Sequence, residues 1–454
     1  MNDLETVTVF WFRRDLRLHD NHGLCEALKN SKAVLPVFIF DKNILGELPD
    51  KKDKRVSFIQ QSLNNLTLQL QNQHSSLLIL HDEPLNAFRT ICDSFLIKDV
   101  FTNHDYEPYA IERDLKIKEW LQTKNISFHS FKDQVVFEKD EVMKSDGTPY
   151  TIFTSYSKIW KQKLTNETVQ SFPSNKLLSN LYKTKPFHFP SLFELGFEKS
   201  VCEIPSSEIN KKIISNYHLT RNLPAVNGTS KLSIHLRFGT VSIRELTRVA
   251  LETNEQWLNE LIWRDFFMMI LYKFHQVVNR CFKKKYENIE WRNNETEFIK
   301  WCNGETGYPI VDAGMRELNE TGFMHNRVRM IVASFLTKHL LIDWRWGEAY
   351  FAEKLLDYEL SSNNGNWQWA AGCGCDAAPY FRIFNPTEQT KRFDPDRIYI
   401  KKWIKNYTPD YLTPIVEHDF ARKRALEVFK KSLANKSTMN SEVMNKVKKL
   451  KNGV

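Results

Sequence analysis

The sequence predicts an α/β domain with a parallel sheet, followed through a long linker by an all-helical domain. Short β-branched and aromatic runs alternate with helical patterns in the first part of the chain and cover residues 7–12, 34–40, 77–80, 99–102 and 126–131. Continuous apolar strands that alternate with helices are typical of a parallel sheet covered on both faces. Beyond residue 205 such runs disappear, and helical patterns cover residues 242–253, 254–274, 296–303, 311–321, 326–341, 348–355 and 414–430.

These changes in pattern divide the chain into four segments. Residues 5–131 form the α/β domain, and residues 132–200 form a linker in which four prolines interrupt a Ser- and Lys-rich sequence. Residues 201–430 form the helical domain, and residues 431–454 form a Lys-rich tail that we expect to be solvated. The first strand is followed by residues 13–17 and not by a Gly-rich loop, so we expect no dinucleotide or P-loop site in this half.

Length and composition exclude several classes of protein. A chain of 454 residues and 53.6 kDa suits two or three domains. A hydrophobic content of 42% and a charged content of 26% exclude a wholly disordered or fibrous protein. The sequence has no run of eighteen apolar residues and begins with an acidic segment, so we expect neither a membrane span nor a signal peptide. Seven scattered cysteines without a Cys-x-x-Cys pair predict reduced thiols in the cytoplasm.

The charge balance is basic but does not identify the partner. Lys and Arg number 64 against 55 Asp and Glu, a net charge of +9 with a pI of about 9.0. The tail alone holds six Lys and one Glu. A basic balance suggests nucleic acid or another anionic surface, and the surplus outside the tail is too small to choose between them.

The candidate chemistry lies in the helical half. Glu260, Trp263 and Phe267 are three and four residues apart, which places them on one helix face. A carboxylate between large aromatic rings either forms a structural ion pair with a nearby Arg or lines a cavity. The sequence leaves both interpretations of Glu260 open, and the structural ion pair is the favoured one.

Two polar segments and a concentration of indoles indicate a ligand site. In residues 363–369 three amides surround a glycine and precede two indoles, which predicts a polar turn that delivers rings into a site. Residues 229–233 offer hydroxyls and a Lys that are suited to a phosphate. Nine of the twelve tryptophans lie between Trp257 and Trp403. That density indicates a large aromatic core, a planar aromatic ligand or electron transfer between indoles.

Seven segments of the sequence resemble the signature motifs of the photolyase/cryptochrome family, and they occur in the family's order and spacing. They are residues 11–17, 228–233, 259–265, 307–313, 325–330, 363–371 and 377–386. The resemblance spans about residues 5–425 and is greatest to class I cyclobutane pyrimidine dimer photolyases. It implies a Rossmann-like α/β antenna-binding domain, a wrapping linker and a helical domain that holds a U-shaped FAD.

The resemblance also implies an FAD site. The residues that match FAD contacts are Tyr217, Thr229, Ser230, Lys231, Leu232, Ser233, Trp257, Glu260, Asn326, Arg329, Asp357, Glu359 and Asn363. Among them, Arg329 and Asp357 match an ion pair beside the isoalloxazine, and Asn363 matches the residue that faces flavin N5. The electron-transfer chain from the surface to photoexcited oxidised flavin is matched by Trp367, Trp344 and Trp291.

A second set of residues matches contacts to damaged DNA. Glu260 matches the carboxyl group that hydrogen-bonds the thymine pair, and Trp263 and Trp369 match the indoles that pack on the flipped dimer. Further lesion or strand contacts are expected from Arg221, Arg264, Asn326, Arg327, Met330 and Arg382.

The implied function is light-dependent DNA repair, in which excited reduced FAD transfers an electron to a flipped-out cyclobutane pyrimidine dimer and the dimer splits. The expected partner is UV-damaged DNA, single- or double-stranded, and the protein is expected to be a cytoplasmic monomer without a metal. The antenna chromophore stays unassigned, because the α/β domain is open to methenyltetrahydrofolate, 8-hydroxy-5-deazaflavin, another flavin or no chromophore. The alternative is a cryptochrome, a blue-light receptor that acts through partner binding; the lesion-contact residues and the short segment after Trp403 favour the lyase.

The chain departs from the family pattern at four positions. Phe323 stands where many relatives have Trp, and Glu359 is one methylene longer than the usual Asp. Cys373 and Cys375 replace small hydroxyl residues, which suggests local redox sensitivity.

Overall fold

The computed structural model describes residues 5–201, 203–408 and 410–434, and it divides into two compact units. Unit 1 comprises Met1–Val142, Ile159–Ile209 and Lys231–Glu252, and unit 2 comprises Met143–Lys158, Asn210–Ser230 and Thr253–Val454. Most of the predicted Lys-rich tail, residues 435–454, lies outside the described residues. No helix in the described ranges is long and apolar enough to cross a membrane.

The helices are numbered in chain order: α1 (His22–Asn30), α2 (Lys42–Leu45), α3 (Lys54–Gln71), α4 (Pro84–Ser94), α5 (Pro108–Gln122), α6 (Phe153–Lys163), α7 (Lys211–Ser215), α8 (Tyr217–Thr220), α9 (Ser233–Phe238), α10 (Ile243–Thr253), α11 (Glu255–Lys273), α12 (Glu295–Asn303), α13 (Pro309–Thr321), α14 (Asn326–Ser334), α15 (Trp344–Lys354), α16 (Leu360–Ala371), α17 (Pro386–Phe393), α18 (Ile398–Trp403) and α19 (His418–Ala434). The strands are β1 (Thr6–Phe12), β2 (Val34–Asp41), β3 (Leu78–Asp82), β4 (Leu96–Asn103) and β5 (Ser127–Phe131).

Unit 1 is built on a five-stranded parallel sheet with the strand order β3-β2-β1-β4-β5. The central strand β1 is buried from its second residue onward, because helices cover both faces of a parallel sheet. All five predicted strands are confirmed. The largest difference is the start of β4, where Leu96 pairs with Thr6. The charged Lys98 interrupts the apolar pattern there, so the first three residues of the strand were not predicted.

A buried ionic network follows the sheet in unit 1. Arg17 Nη2 lies 2.7 Å from Asp133 Oδ2, and Arg244 binds both Asp133 and Asp20 at 2.8 and 2.9 Å. Burial by itself would raise the pKa of Asp133, but the two guanidinium groups hold it at about 2. Arg17, in the loop after β1, therefore has a structural role in unit 1.

Unit 2 is helical, and its centre is α16, which packs against α11 and α15. Residues 363–369 belong to this helix, so the predicted polar turn is wrong. The helix escaped prediction because it is enclosed and has no single apolar face. A Cβ at Gly365 would lie 2.2 Å from the Phe267 ring, so only glycine permits this approach to α11. One amide pair bonds within α16, where Gln368 Nε2 donates to Asn364 Oδ1 at 3.0 Å, and Gln368 Nε2 also donates to the Val277 carbonyl at 2.9 Å.

The other predicted helices of this half are confirmed with small shifts at their ends. The predicted helix over residues 326–341 is shorter, because α14 ends at Ser334 and Phe335–His339 form a π-helical turn. Helices α17 and α18 have only eight and six residues, too few to show a periodic apolar pattern.

Candidate active site

A carboxylate, a guanidinium and a phenol come together between α8 and α11. Arg221 Nη1 lies 2.6 Å from Glu260 Oε1, and the Tyr217 hydroxyl and the Gln256 amide also donate to Glu260. Burial raises the pKa of the Glu260 carboxyl above its ordinary value, and Arg221 opposes that shift. The ion pair favoured from the sequence is therefore present, on a carboxyl that is protonated more readily than an exposed one.

Trp263, almost one turn further along α11, is held in a stack. Its ring lies parallel to that of Phe153, with centroids 3.7 Å apart and an angle of 2° between planes, and Phe267 contacts it as well. Phe153 begins α6, and its N–H donates to Asp376 Oδ2 at 3.0 Å. The plane of Trp263 is consequently fixed from one side by a ring that is itself anchored.

Asn363 on α16 presents a partly satisfied buried amide. Its Nδ2 donates to the backbone oxygen and to Oε1 of Glu348 at 3.0 and 3.2 Å, and the side chain is buried. Within the described part of the chain no group donates to Asn363 Oδ1. One acceptor of this amide is thus left for a ligand.

Two ion pairs join the predicted flavin contacts to their neighbours. Arg329 Nη2 lies 3.0 and 3.2 Å from the two carboxylate oxygens of Asp357, so the ion pair implied by the family resemblance is present. Arg264 Nη2 lies 3.1 Å from Glu359 Oε1, and both side chains are buried. This placement suits Arg264 to holding Glu359 and not to the phosphate contact that the sequence predicted for it.

Four arginines of unit 2 lie close together, and we call them the arginine cluster: Arg221, Arg327, Arg382 and Arg392. Burial and the charges of the other three lower the pKa of Arg327. Arg327 and Arg392 both lie over the Phe393 ring, at 4.4 and 5.1 Å from its centroid. Four positive charges on one part of the surface attract an anionic ligand, and a nucleic-acid strand with several phosphates is such a ligand. Arg382 and Arg392 are exposed.

The remaining predicted lesion contacts flank this cluster or α16. Asn326 is exposed at the first position of α14, and Arg327 Nη1 lies 3.7 Å from Met330 Sδ. Trp369 is half-buried and packs against the main core of unit 2. Trp257 is buried near the start of α11, where Asn254 Oδ1 accepts its N–H.

Two indoles of the predicted electron-transfer chain, Trp344 and Trp367, lie on α15 and α16, which pack together, and the third, Trp291, lies in the loop before α12. Trp367 is buried against Gly347, where a Cβ would come within 2.2 Å of the ring. Trp344 lies one turn before Gly347 on α15 and is fully buried. The residue after Trp291 donates its N–H to the Leu341 carbonyl at 2.8 Å, shortly before α15, and Trp291 itself is half-buried.

The predicted phosphate-binding residues are divided by the boundary between the units. Thr229 and Ser230 belong to unit 2, whereas Lys231, Leu232 and Ser233 belong to unit 1, where Leu232 caps α9. Lys231 has a φ of 54°, the left-handed conformation that disfavours side chains other than glycine. The hydroxyls of Thr229, Ser230 and Ser233 make no hydrogen bond to any residue that the structure describes.

Comparisons with known proteins agree with this architecture. A family model described as DNA photolyase matches residues 8–175, and one described as the FAD binding domain of DNA photolyase matches residues 257–409. A deoxyribodipyrimidine photo-lyase of Halobacterium salinarum is 34% identical over 94% of this chain and 99% of its own length. The chain belongs to the photolyase/cryptochrome family.

Solved structures of this family have the same fold. A class III photolyase from Agrobacterium tumefaciens is 28% identical with a TM-score of 0.81, covering 96% of this chain and 99% of that one. An archaeal photolyase from Sulfolobus tokodaii with two FAD molecules is 33% identical with a TM-score of 0.76, covering 94% and 100%. The two FAD molecules of the archaeal protein imply a novel light-harvesting cofactor there.

The residues of this photolyase-family chain fit an FAD cofactor. Asn363 Oδ1 is an available acceptor in a buried position, as a protonated flavin ring nitrogen requires. The hydroxyls of Thr229 and Ser230, in the same unit, are available as donors, as a diphosphate requires. The side chains are therefore of the right chemistry for both ends of the cofactor.

Some functional candidates of this photolyase-family chain were missed from the sequence. Glu348 escaped because it is fifteen positions from Asn363, whose amide it binds. Phe153 lies in the predicted linker, far along the chain from Trp263. Arg392 had a weak local signal, the basic Lys-Arg pair before Phe393, but nothing in the sequence linked it to the other arginines.

Proposed function

We propose that this chain is a deoxyribodipyrimidine photo-lyase, a light-dependent enzyme that splits cyclobutane pyrimidine dimers in UV-damaged DNA with FAD as its cofactor. The observation that carries this proposal is one constellation in unit 2 of a photolyase-family chain. Glu260 with its raised pKa, the fixed ring of Trp263 and the arginine cluster lie on neighbouring elements. Together they offer a hydrogen-bond donor, a stacking surface and phosphate contacts.

Glu260 binds the pyrimidine pair in this proposal. A carboxyl whose pKa is raised by burial is able to donate a hydrogen bond to a base carbonyl, in the way that other buried acids act as donors. Arg221 and Tyr217 hold the carboxyl in position and keep charge beside the carbonyl. Glu260 thereby orients the lesion and stabilises negative charge that develops on it.

The lesion has to leave the duplex to reach these groups. Extruding a base costs a few kcal/mol and is cheapest for damaged, poorly stacked bases, and photolyases are a known example of enzymes that do so. Trp263 and Trp369 replace part of the lost stacking, which is worth about 1–3 kcal/mol per base. The arginine cluster binds the strand that carries the lesion, and its contacts make the affinity depend on salt.

The proposed FAD contacts are the thirteen residues that match the family's flavin site. When bound, FAD supplies the electron that opens the cyclobutane ring and receives it back. Glu348 fixes the Asn363 amide, and Asp357 fixes the Arg329 guanidinium, so two polar groups stand in defined orientations for the ring system. Trp367, Trp344 and Trp291 form the route by which oxidised cofactor is reduced in the light.

Photorepair of a defined lesion tests the proposal. The purified protein, reduced beforehand, is incubated with an oligonucleotide that carries one thymine dimer, under blue light and in darkness. Thymines are expected to reappear only in the light. Glu260→Ala should lower the repair yield, whereas Glu260→Gln, which keeps a hydrogen-bond donor, should retain more of it. Flavin and lesion binding without repair would favour a cryptochrome, and absence of both flavin and repair would refute the assignment.

We further infer that the protein works as a cytoplasmic monomer on single- or double-stranded damaged DNA. The α/β unit is the candidate site for an antenna chromophore, methenyltetrahydrofolate or 8-hydroxy-5-deazaflavin, whose presence and identity stay unassigned. Six cysteines in the described ranges are free thiols, which suits a reducing compartment. Light scattering of the complex with single- and double-stranded damaged oligonucleotides tests the assembly state and the substrate form. Chromatography of the released pigments tests the antenna.

A further inference from the structure

Two buried thiols touch each other in the core of unit 2. Cys281 and Cys373 are 3% and 1% exposed, and their side chains are in hydrogen-bond contact. The backbone holds their segments side by side, since Lys283 N–H donates to the Cys373 carbonyl at 2.9 Å and Phe282 N–H donates to Gln368 Oε1 at 2.8 Å. The two sulfurs therefore need only a short approach to reach bonding distance.

One side chain joins this thiol pair to the tryptophan route. Arg345 follows Trp344 in the chain, and its guanidinium carbon lies 4.8 Å from the centre of the Trp344 ring. The same guanidinium places Nη2 3.9 Å from Cys281 Sγ. Arg345 is immobilised, because its other nitrogens bind Asp343 at 3.1 Å and the Asn279 carbonyl at 3.1 Å. A single rigid cation thus touches both the middle indole and the thiol.

A carboxylate lies beside the backbone of Cys281. Glu287 accepts the Cys281 N–H and lies 2.7 Å from Arg345 Nη2. Its side chain is 23% exposed, so a proton that reaches it has a way to water. The contact with Cys373 and burial raise the pKa of the Cys281 thiol, so the thiol keeps its proton until it is oxidised, and Glu287 is the carboxylate beside its backbone that can then take the proton.

We propose that Cys281 and Cys373 are an internal electron donor for the tryptophan route and become a disulfide when the route is used without external reductant. Each light-driven oxidation of the route withdraws one electron from the pair. After two such events two S–H bonds have broken, one S–S bond has formed, and two electrons and two protons have been released. Both electrons and one proton go to the oxidised flavin, and the second proton leaves by way of Glu287. This inference rests on the proposed function, because the route is part of it.

Thiol counting in the complete holoprotein tests the inference. Protein with oxidised flavin is illuminated with blue light under argon and without reductant, then denatured, alkylated with iodoacetamide and digested. We expect two thiols to be lost for each flavin reduced, with a linked pair of peptides that contain Cys281 and Cys373. A dark sample should retain all seven cysteines. Flavin that is reduced while every cysteine stays alkylatable overturns the inference.

Variants give a second readout. Cys281→Ser and Cys373→Ser should each lower the yield of photoreduced flavin at least several-fold without reductant, and dithiothreitol should restore it. Cys302→Ser is the matched control, since Cys302 is a buried thiol of the same core whose carbonyl accepts from Asn319 Nδ2. Equal loss in the control contradicts the inference.

The failure of this inference is distinguishable from failure of the proposed function. Cys281→Ser protein that is reduced with dithionite should still repair thymine dimers in the light. Wild-type protein that fails to repair after dithionite refutes the proposed function, whereas normal repair combined with intact cysteines refutes only the donor role of the thiol pair.

Discussion

Lys338 lies fully buried beneath the end of α16, the helix that carries Asn363 and Trp367. Its Nζ donates to the Ala371 carbonyl at 2.7 Å and lies 3.7 Å from the centre of the Phe429 ring. Burial lowers the pKa of Lys338 from 10.5 to about 7. The charged form is therefore disfavoured in the folded protein.

The sign of the effect on stability follows from proton binding. Between pH 7 and 10.5 the unfolded chain holds the Lys338 proton and the folded chain does not, so the free energy of unfolding rises with pH. The slope from this group is about 1.4 kcal/mol per pH unit, and the total over the window is about 5 kcal/mol. A variant that lacks the hydrogen bond from Lys338 to the Ala371 carbonyl loses the contribution of a bond from a neutral amine, about 0.5–1.5 kcal/mol of unfolding free energy.

Lys338→Met is the perturbation that isolates this effect. Urea unfolding is measured at several pH values from 7 to 10 for wild type and variant. All other titratable groups are common to both proteins, so the difference between the two pH profiles reports Lys338. We expect the wild-type free energy of unfolding to rise more steeply with pH than that of the variant. Parallel curves would refute the reasoning, because they would mean that the Phe429 ring and the helix carbonyl compensate fully for the burial of the charge.

Three further predictions concern other sites. Gly365→Ala should lower the free energy of unfolding by about 1–3 kcal/mol through overlap with Phe267, seen as a lower melting temperature; an unchanged value would show that the ring moves aside at no cost. Arg392→Ala should weaken binding of damaged DNA and reduce the slope of log affinity against log salt concentration by about 1. Lys391→Ala serves as the control, because it removes a neighbouring lysine that is already paired with Glu388. Equal slopes in the two variants would contradict a role of the arginine cluster in DNA binding. Burial lowers the pKa of His339 to about 3, so on acidification the unfolded chain takes up a proton at this histidine before the folded chain does. The free energy of unfolding should therefore fall by about 1.4 kcal/mol for each pH unit as the pH is lowered from 6.5 to 3. His339→Gln should flatten that acid titration of stability, and an identical profile would contradict the assignment.

Local pattern along the chain was enough to define the regular elements. Strands β1 and β2 are continuous apolar runs, and α10 buries residues at helical spacing, so periodicity alone predicts all three. The family motifs also specified the pairing of Arg329 with Asp357. The strands and the helix are encoded in short stretches, and neighbouring segments therefore do little to change them, whereas the ion pair came from the family resemblance.

Contacts between distant residues depend instead on tertiary packing. Arg221 pairs with Glu260 across two helices, and Arg264 is buried on Glu359, although both arginines look alike in sequence as phosphate contacts. The thiols of Cys281 and Cys373 lie in segments without regular periodicity and touch through a backbone pairing. Such contacts form when whole helices pack against each other. The residues around one partner do not indicate which distant residue it will contact, so the sequence alone does not predict the pair.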